Sequence, residues 1–298
     1  MEFFVSIFDT LIVQPIFNLL LGLYSIIPGG DFGIAIIIFT ILVRFALWPL
    51  LKKQLHQTRA MQKMQPELAK IKKEAKGNKQ AEGVMMMELY KKHGVSPFGS
   101  IGILFIQLPI FIALYRVIQI FTVSQTDLAK YTYDFMKGLE PIAKLIADPT
   151  SLNQRLFGFI DLTGSAISKD LPVNYILLIL ALAAVVTQYL LTKQTTPKNQ
   201  TKRRVRDIMS EAANGKEVDQ SEITNAMMGN MTKFMPIMFL PVMLYMPGAL
   251  TLYYMVSNIV AVIQQRSILK KDSEELIEIA DEASSSVQRI GKKATAKA

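Results

Sequence analysis

The chain has 298 residues, 51% of them hydrophobic, with a formal net charge of +9 and no cysteine. Its apolar residues are gathered into long blocks with the charged residues between them, which excludes an ordinary soluble domain and points to a membrane protein. The lack of cysteine excludes disulfides, thiolate metal sites and a lipid-modified cysteine, and the two histidines, His56 and His93, stand in polar connecting sequence without metal-ligand spacing.

Residues 1–30 are apolar but striped. Glu2, Ser6, Asp9, Thr10, Gln14 and Asn18 recur every few positions along one helical face. That predicts a helix lying in the membrane interface, with an additional span as the alternative. A signal peptide would want a positive start and a small-residue cleavage site, and neither is visible. Pro28-Gly29-Gly30-Asp31 predicts a turn.

Residues 31–53 hold the first expected span. Gly33 to Leu51 reads G-I-A-I-I-I-F-T-I-L-V-R-F-A-L-W-P-L-L, 19 residues, or about 28 Å of helix, enough to cross a bilayer core. Arg44 interrupts it, eight residues before Lys52 and so about 12 Å inside the membrane on a straight helix. Even lenient insertion scales charge a central arginine about 2.5–3.5 kcal/mol. The other apolar stretches, Phe98–Gln119, Val173–Leu191 and Phe234–Ile263, contain no Asp or Glu. The counter-charge is therefore expected to be water, lipid phosphate or a group from outside the protein.

Residues 54–97 change character. From Lys52 to Lys92 eleven Lys or Arg face four Glu, and Met61, Met64, Leu68, Ile71 and Ala75 follow a helical 3-4-3-4 spacing. Gly77-Asn78 breaks the pattern, and a second helix is expected from about Gln80 to His93, carrying Val84, Met86, Met87 and Tyr90. Together they predict an αα-hairpin, with Pro66 marking a kink or a start. Met61, Met64, Met86 and Met87 either pack the hairpin or form a soft, repackable surface for apolar partners or lipid.

Residues 98–120 are the second expected span, containing Gln107 and Pro109. Residues 121–172, with five basic and six acidic residues, form the one long connection without a positive excess. Residues 173–192 are the third span, with Gln188 near its basic end. Residues 193–233 are polar and include Lys202-Arg203-Arg204-Val205-Arg206. The last apolar block breaks at Pro247-Gly248, either as a hairpin of two spans (234–247 and 248–266) or as one kinked span, before a basic tail at 267–298. The positive-inside rule then puts 54–97 and 193–233 in the cytoplasm and 121–172 outside. With the last block as a hairpin, there are five spans, an outer N-terminus and a cytoplasmic C-terminus.

These segments, in order, resemble the YidC family of membrane protein insertases. The likeness is carried by I-F-T-I-L-V-R-F-A-L-W-P-L, M-Q-K-M-Q-P-E-L-A-K-I-K-K, M-M-E-L-Y-K-K-H-G-V-S-P, Q-L-P-I-F-I-A-L-Y, F-G-F-I-D-L and P-G-A-L-T-L-Y-Y-M-V-S-N. The resemblance implies an all-α polytopic protein of the bacterial inner membrane, five transmembrane helices around a hydrophilic groove open to the cytoplasm, plus the cytoplasmic hairpin. It places Arg44 as the groove arginine, Thr40 as a groove-lining residue, Tyr253 as a client-contacting aromatic, and Tyr245 where relatives often carry tryptophan. Gln107 and Gln188 join the groove set as polar side chains within spans, with helix-to-helix hydrogen bonding as the alternative. Two features of many relatives, a large extracytoplasmic domain and a lipoprotein cysteine, have no counterpart in this sequence. Residues 121–172 and 193–233 look longer than the family's usual connections.

The implied activity is insertion of client membrane proteins into the lipid bilayer, without cofactor, metal or nucleotide and without enzymatic catalysis. No phosphate-binding G-x-x-x-x-G-K-[ST] loop is present. The basic loops and tail suggest a ribosome partner and the family a Sec translocon, with no specific nucleic-acid sequence read. Two other readings stay open: a small-anion transporter using Arg44, and a non-catalytic scaffold docking ribosomes or membrane proteins.

Overall fold

Prolines set where the helices of this chain break. The computed structural model describes residues 2–75, 77–94, 102–169, 171–195, 210 and 236–270. Helix α1 (Glu2–Phe8) passes through a π-helical turn (Asp9–Val13) into α2 (Gln14–Ile26). Pro15 has no N–H to continue an α ladder, and the Gln14 N–H reaches back five residues to the Asp9 carbonyl. The whole stretch Phe3–Ile26 is long and apolar enough to cross a bilayer.

Its polar stripe does not simply face water. Asn18 is buried; its Nδ2 donates to the Gln14 and Tyr131 carbonyls, and its Oδ1 accepts from the Tyr133 N–H, each at 2.8 Å. Asp9 pairs with Arg116 at 2.9 Å and accepts a hydrogen bond from the Tyr131 hydroxyl. The sequence reading took the stripe as the solvated face of an interfacial helix; part of that face is satisfied inside the protein.

Helix α3 (Phe32–Ala46) starts on Asp31, whose carboxylate accepts from the Ile34 N–H at 2.9 Å. It ends at Leu47, and α4 (Trp48–Glu74) leaves at 61°. Pro49 sits in the first turn of α4, where its missing N–H costs nothing, but it cannot extend α3. The expected straight span 31–53 is therefore two helices, and Pro66 lies inside α4 rather than at a helix start. Helix α5 (Lys79–Lys92) is capped by Asn78, whose side chain accepts from the Gln80 and Ala81 N–H groups. Helices α4 and α5 close on Met64, Leu68 and Leu89.

Helix α6 (Gly102–Thr122) contains Pro109 and turns by 102° through a 3-10 turn (Gln125–Asp127) into α7 (Leu128–Tyr131). Residues 121–172 are folded: α8 (Asp134–Lys137), α9 (Glu140–Ala147) and a two-stranded antiparallel ribbon, β1 (Arg155–Leu156) with β2 (Ile160–Asp161), follow in order. Strand β1 lies directly on the start of α3. A Cβ on Gly33 would come within 2.5 Å of the Leu156 Cβ.

Helix α10 (Tyr175–Thr195) is the second helix able to cross a bilayer alone, over Tyr175–Gln194. Helix α11 is described over Pro236–Tyr245, ten residues or about 15 Å. The chain then reverses into α12 (248–270), and the rings of Phe239 and Tyr254 stack across the two arms with centroids 6.4 Å apart. At the reversal the Gly248 N–H donates to the Gly164 carbonyl at 2.7 Å and the Ala249 N–H to the Leu162 carbonyl at 3.0 Å. By length and composition the described residues thus offer two spanning helices, or four if each bent pair is one span. The Lys202–Arg206 run and the tail beyond residue 270 lie outside the described residues.

One core joins α2, α3, α6 and α12 to the folded 121–172 segment, centred on Phe17, Phe32, Phe39 and Phe121. A smaller cluster of Ala181, Ala184 and Met243 attaches α10 to α11 and α12. The two clusters share Met246 and Met255 as partly buried neighbours.

Candidate functional site: a polar cavity around Arg44

Arg44 lies in the last turn of α3, where the negative end of the helix dipole favours a cation by about 0.3–1 kcal/mol. The 61° bend also shortens its depth. Measured along the α3 axis, Lys52 is about 8 Å away rather than 12 Å, which brings the guanidinium closer to snorkelling reach. Its Nε donates to Ser257 Oγ of α12 at 2.8 Å, and the Gln264 Nε2 donates to the Arg44 carbonyl at 3.0 Å. No carboxylate pairs with it among the described residues.

The Ser257 bond uses the Nε–H and fixes the plane of the guanidinium. Its two terminal amino groups keep a planar pair of donors suited to a carboxylate or phosphate. The space beside it is a cavity of ≈ 250 Å³ whose walls come from α3, α4, α6, α10 and α12. Thr40, Gln188 and Tyr253 of the sequence-derived set line it together with Arg44. Thr40 is fully buried and its hydroxyl donates to the Ile36 carbonyl at 2.6 Å. Gln188 also donates within α10, to Thr192 Oγ1 at 3.4 Å.

The other sequence-derived residues lie elsewhere. Tyr245 is 63% exposed, on the far side of the Pro247 reversal, and lines a separate cavity with Asp161, Thr163 and Asn174. Gln107 belongs to α6, with its side chain outside the described residues. In the hairpin, Met64 is buried and Met61 and Met86 pack partly buried against it, while Met87 is exposed. Of the four, Met64 has its surface taken by the hairpin itself.

Sequence reasoning missed two groups. Ser257, Asn258 and Gln265 on α12 and Gln54 on α4 line the cavity beside Arg44. Their helical spacing was visible, but only the packing of α12 against α3 tells which face matters. Arg116, a second arginine inside an apolar helix, was passed over; its partner Asp9 comes from the π-helical turn near the start of the chain.

The family model described as the 60Kd inner membrane protein matches residues 22–275. A protein of Fusobacterium nucleatum subsp. nucleatum named Membrane protein insertase YidC is 32% identical over 242 residues, covering 81% of this chain and 88% of that protein. Proteins of the same name from Buchnera aphidicola subsp. Baizongia pistaciae and Tolumonas auensis are 30% and 29% identical, over 86% and 87% of this chain. The chain spans only 37% and 36% of the length of those two relatives. With a match of that extent over its apolar, multi-helical sequence, the chain belongs to the 60Kd inner membrane protein family of multi-pass membrane proteins.

Proposed function

We propose that this chain inserts hydrophobic segments of client proteins into the lipid bilayer, using the polar cavity around Arg44 to receive the short acidic tail that must cross with them. The observation that carries this reading is an arginine in an apolar helix end, held by a serine and facing a polar cavity, with no carboxylate partner among the described residues. The name carried by relatives over most of this chain supports the same activity. At about 4 Å, opposite charges in surroundings of effective dielectric ~20 attract by about 4 kcal/mol, enough to draw a tail in. Transfer of the apolar segment into lipid, at about 25 cal/mol per Å², then drives the process without nucleotide.

In this reading the protein has five spans, an outer N-terminus and a cytoplasmic hairpin and C-terminus, with 1–30 at the outer interface. Thr40, Gln188 and Tyr253 line the client path, and Met87 with its exposed neighbour Val84 offers the hairpin's contact to lipid or client. Translating ribosomes meet the basic loops and tail, and a Sec translocon is a further partner.

The test is reconstitution in liposomes with clients bearing acidic or neutral tails. Arg44→Lys is expected to keep much of the insertion, Arg44→Ala to lose at least tenfold with the acidic client, and Arg44→Glu to be worse. Neutralising the client's acidic residues should shrink the gap between wild type and Arg44→Ala. Equal loss with both clients, at normal protein levels, would refute the attraction.

A further inference from the structure

Three amide side chains line the Arg44 cavity with polar atoms that nothing in the described protein satisfies. They are Gln54 of α4, through Oε1, Asn258 of α12, through Nδ2, and Gln265 of α12, through Oε1. Gln54 and Asn258 are 7% and 4% exposed. A buried polar group without a partner costs about 1–3 kcal/mol, so two or three in one cavity is a large expense for a fold to carry.

Their arrangement is linear. Asn258, Ala261 and Gln265 lie on one face of α12, and Leu51 and Gln54 line the same cavity from α4. From Asn258 to Gln265 is seven residues, about 10 Å along the helix, which matches about three residues of an extended peptide. Arg44, with donors only, can serve a carboxylate. It cannot accept from a peptide N–H. An amide both donates and accepts, as a peptide does.

We infer that Gln54, Asn258 and Gln265 form a second recognition element, which binds the backbone amides of an extended, uncharged client tail independently of Arg44. This rests on the insertase reading. A tail entering an apolar site must give up water from each N–H and C=O, and the amide row replaces part of that hydration before the segment becomes helical. Arg44 then selects for acidic side chains, while the amides admit polypeptide as such.

The test uses purified full-length protein in liposomes and two synthetic clients that share one apolar segment. One carries an aspartate-containing tail and the other a Gly-Ser tail, and each is also made with three N-methylated tail residues. The variant Q54M/N258L/Q265M keeps volume and removes the amides; N258Q/Q265N keeps amides and is the rescue control. Because the removed groups are unpaired, the apolar triple variant should melt at or above the wild-type temperature. It should insert the Gly-Ser client roughly tenfold more slowly, and N258Q/Q265N should retain most activity. N-methylation should slow the wild type and add little to the triple variant. Wild-type insertion of the Gly-Ser client by the triple variant would overturn the inference. So would a loss confined to the acidic client, which would mean that the amides only hold water around Arg44. Absence of insertion by the wild-type protein with every client would instead refute the insertase reading on which the inference stands.

Discussion

Replacing Asn18 with leucine would strip partners from two buried backbone groups at once, the Tyr131 carbonyl and the Tyr133 N–H. Each orphaned group costs about 1–3 kcal/mol, so Asn18→Leu is expected to destabilise by about 2–6 kcal/mol, read as a clear fall in melting temperature in detergent. Asn18 was visible in the sequence as one polar residue in a stripe, but the stripe could not say whether water or protein answered it. Arg44 was legible for the opposite reason: it is a lone charge at a position where only a site or a cost could explain it. Tyr245 and Tyr253 were both assigned to the groove by resemblance, and the reversal at Pro247 puts them against different walls.

Helix α4 illustrates how element boundaries escape a hydropathy reading. The apolar run Gly33–Leu51 is continuous in composition, yet Pro49 ends one helix and opens the next with a 61° change of direction. The hairpin of α4 and α5 was legible because its 3-4-3-4 spacing and its Asn78 cap are local. What its methionines do was not. Met64→Ala should open a cavity in the hairpin's own cluster at a cost of about 2–4 kcal/mol, seen as faster hydrogen exchange over α4 and α5 with the membrane helices unaffected. Met87→Ala should leave exchange unchanged, because Met87 is already 49% exposed. Loss of protection for Met87→Ala as well would mean that its exposed face is covered in the membrane-bound protein.

At the scale of the molecule, the proposed topology rests on charge: basic connections at 54–97 and 193–233, and a nearly neutral folded segment at 121–172. A chain without cysteine permits a direct check. Single cysteines at Ser151, Ser221 and Ser284 in intact cells, challenged with an impermeant thiol reagent, should label only at position 151. Labelling at position 284 would make the last apolar block a single span. The sequence read 121–172 as a connection because its short helices and ribbon are each too brief to leave a periodic signal. Their long-range contacts, such as Leu156 against Gly33, hold them in place.

The clasp between 162–164 and the start of α12 also has a mechanical meaning. Two backbone hydrogen bonds and the packing of Gly248 against Leu177 and Leu162 fix α12 at one end, while farther along the Ser257 and Gln264 side chains tie it to α3. A helix pinned at one end pivots there. A tilt of about 5° about the clasp moves α12 by about 1 Å at Ser257, about 14 Å along the helix, and by about 3 Å at residue 270, so the helix loosens beside Arg44 with the clasp intact. In the proposed orientation the clasp lies toward the outer face, so the protein would widen inward without becoming a pore. Liposomes carrying it should hold a potassium gradient throughout client insertion, and should leak once the clasp is broken.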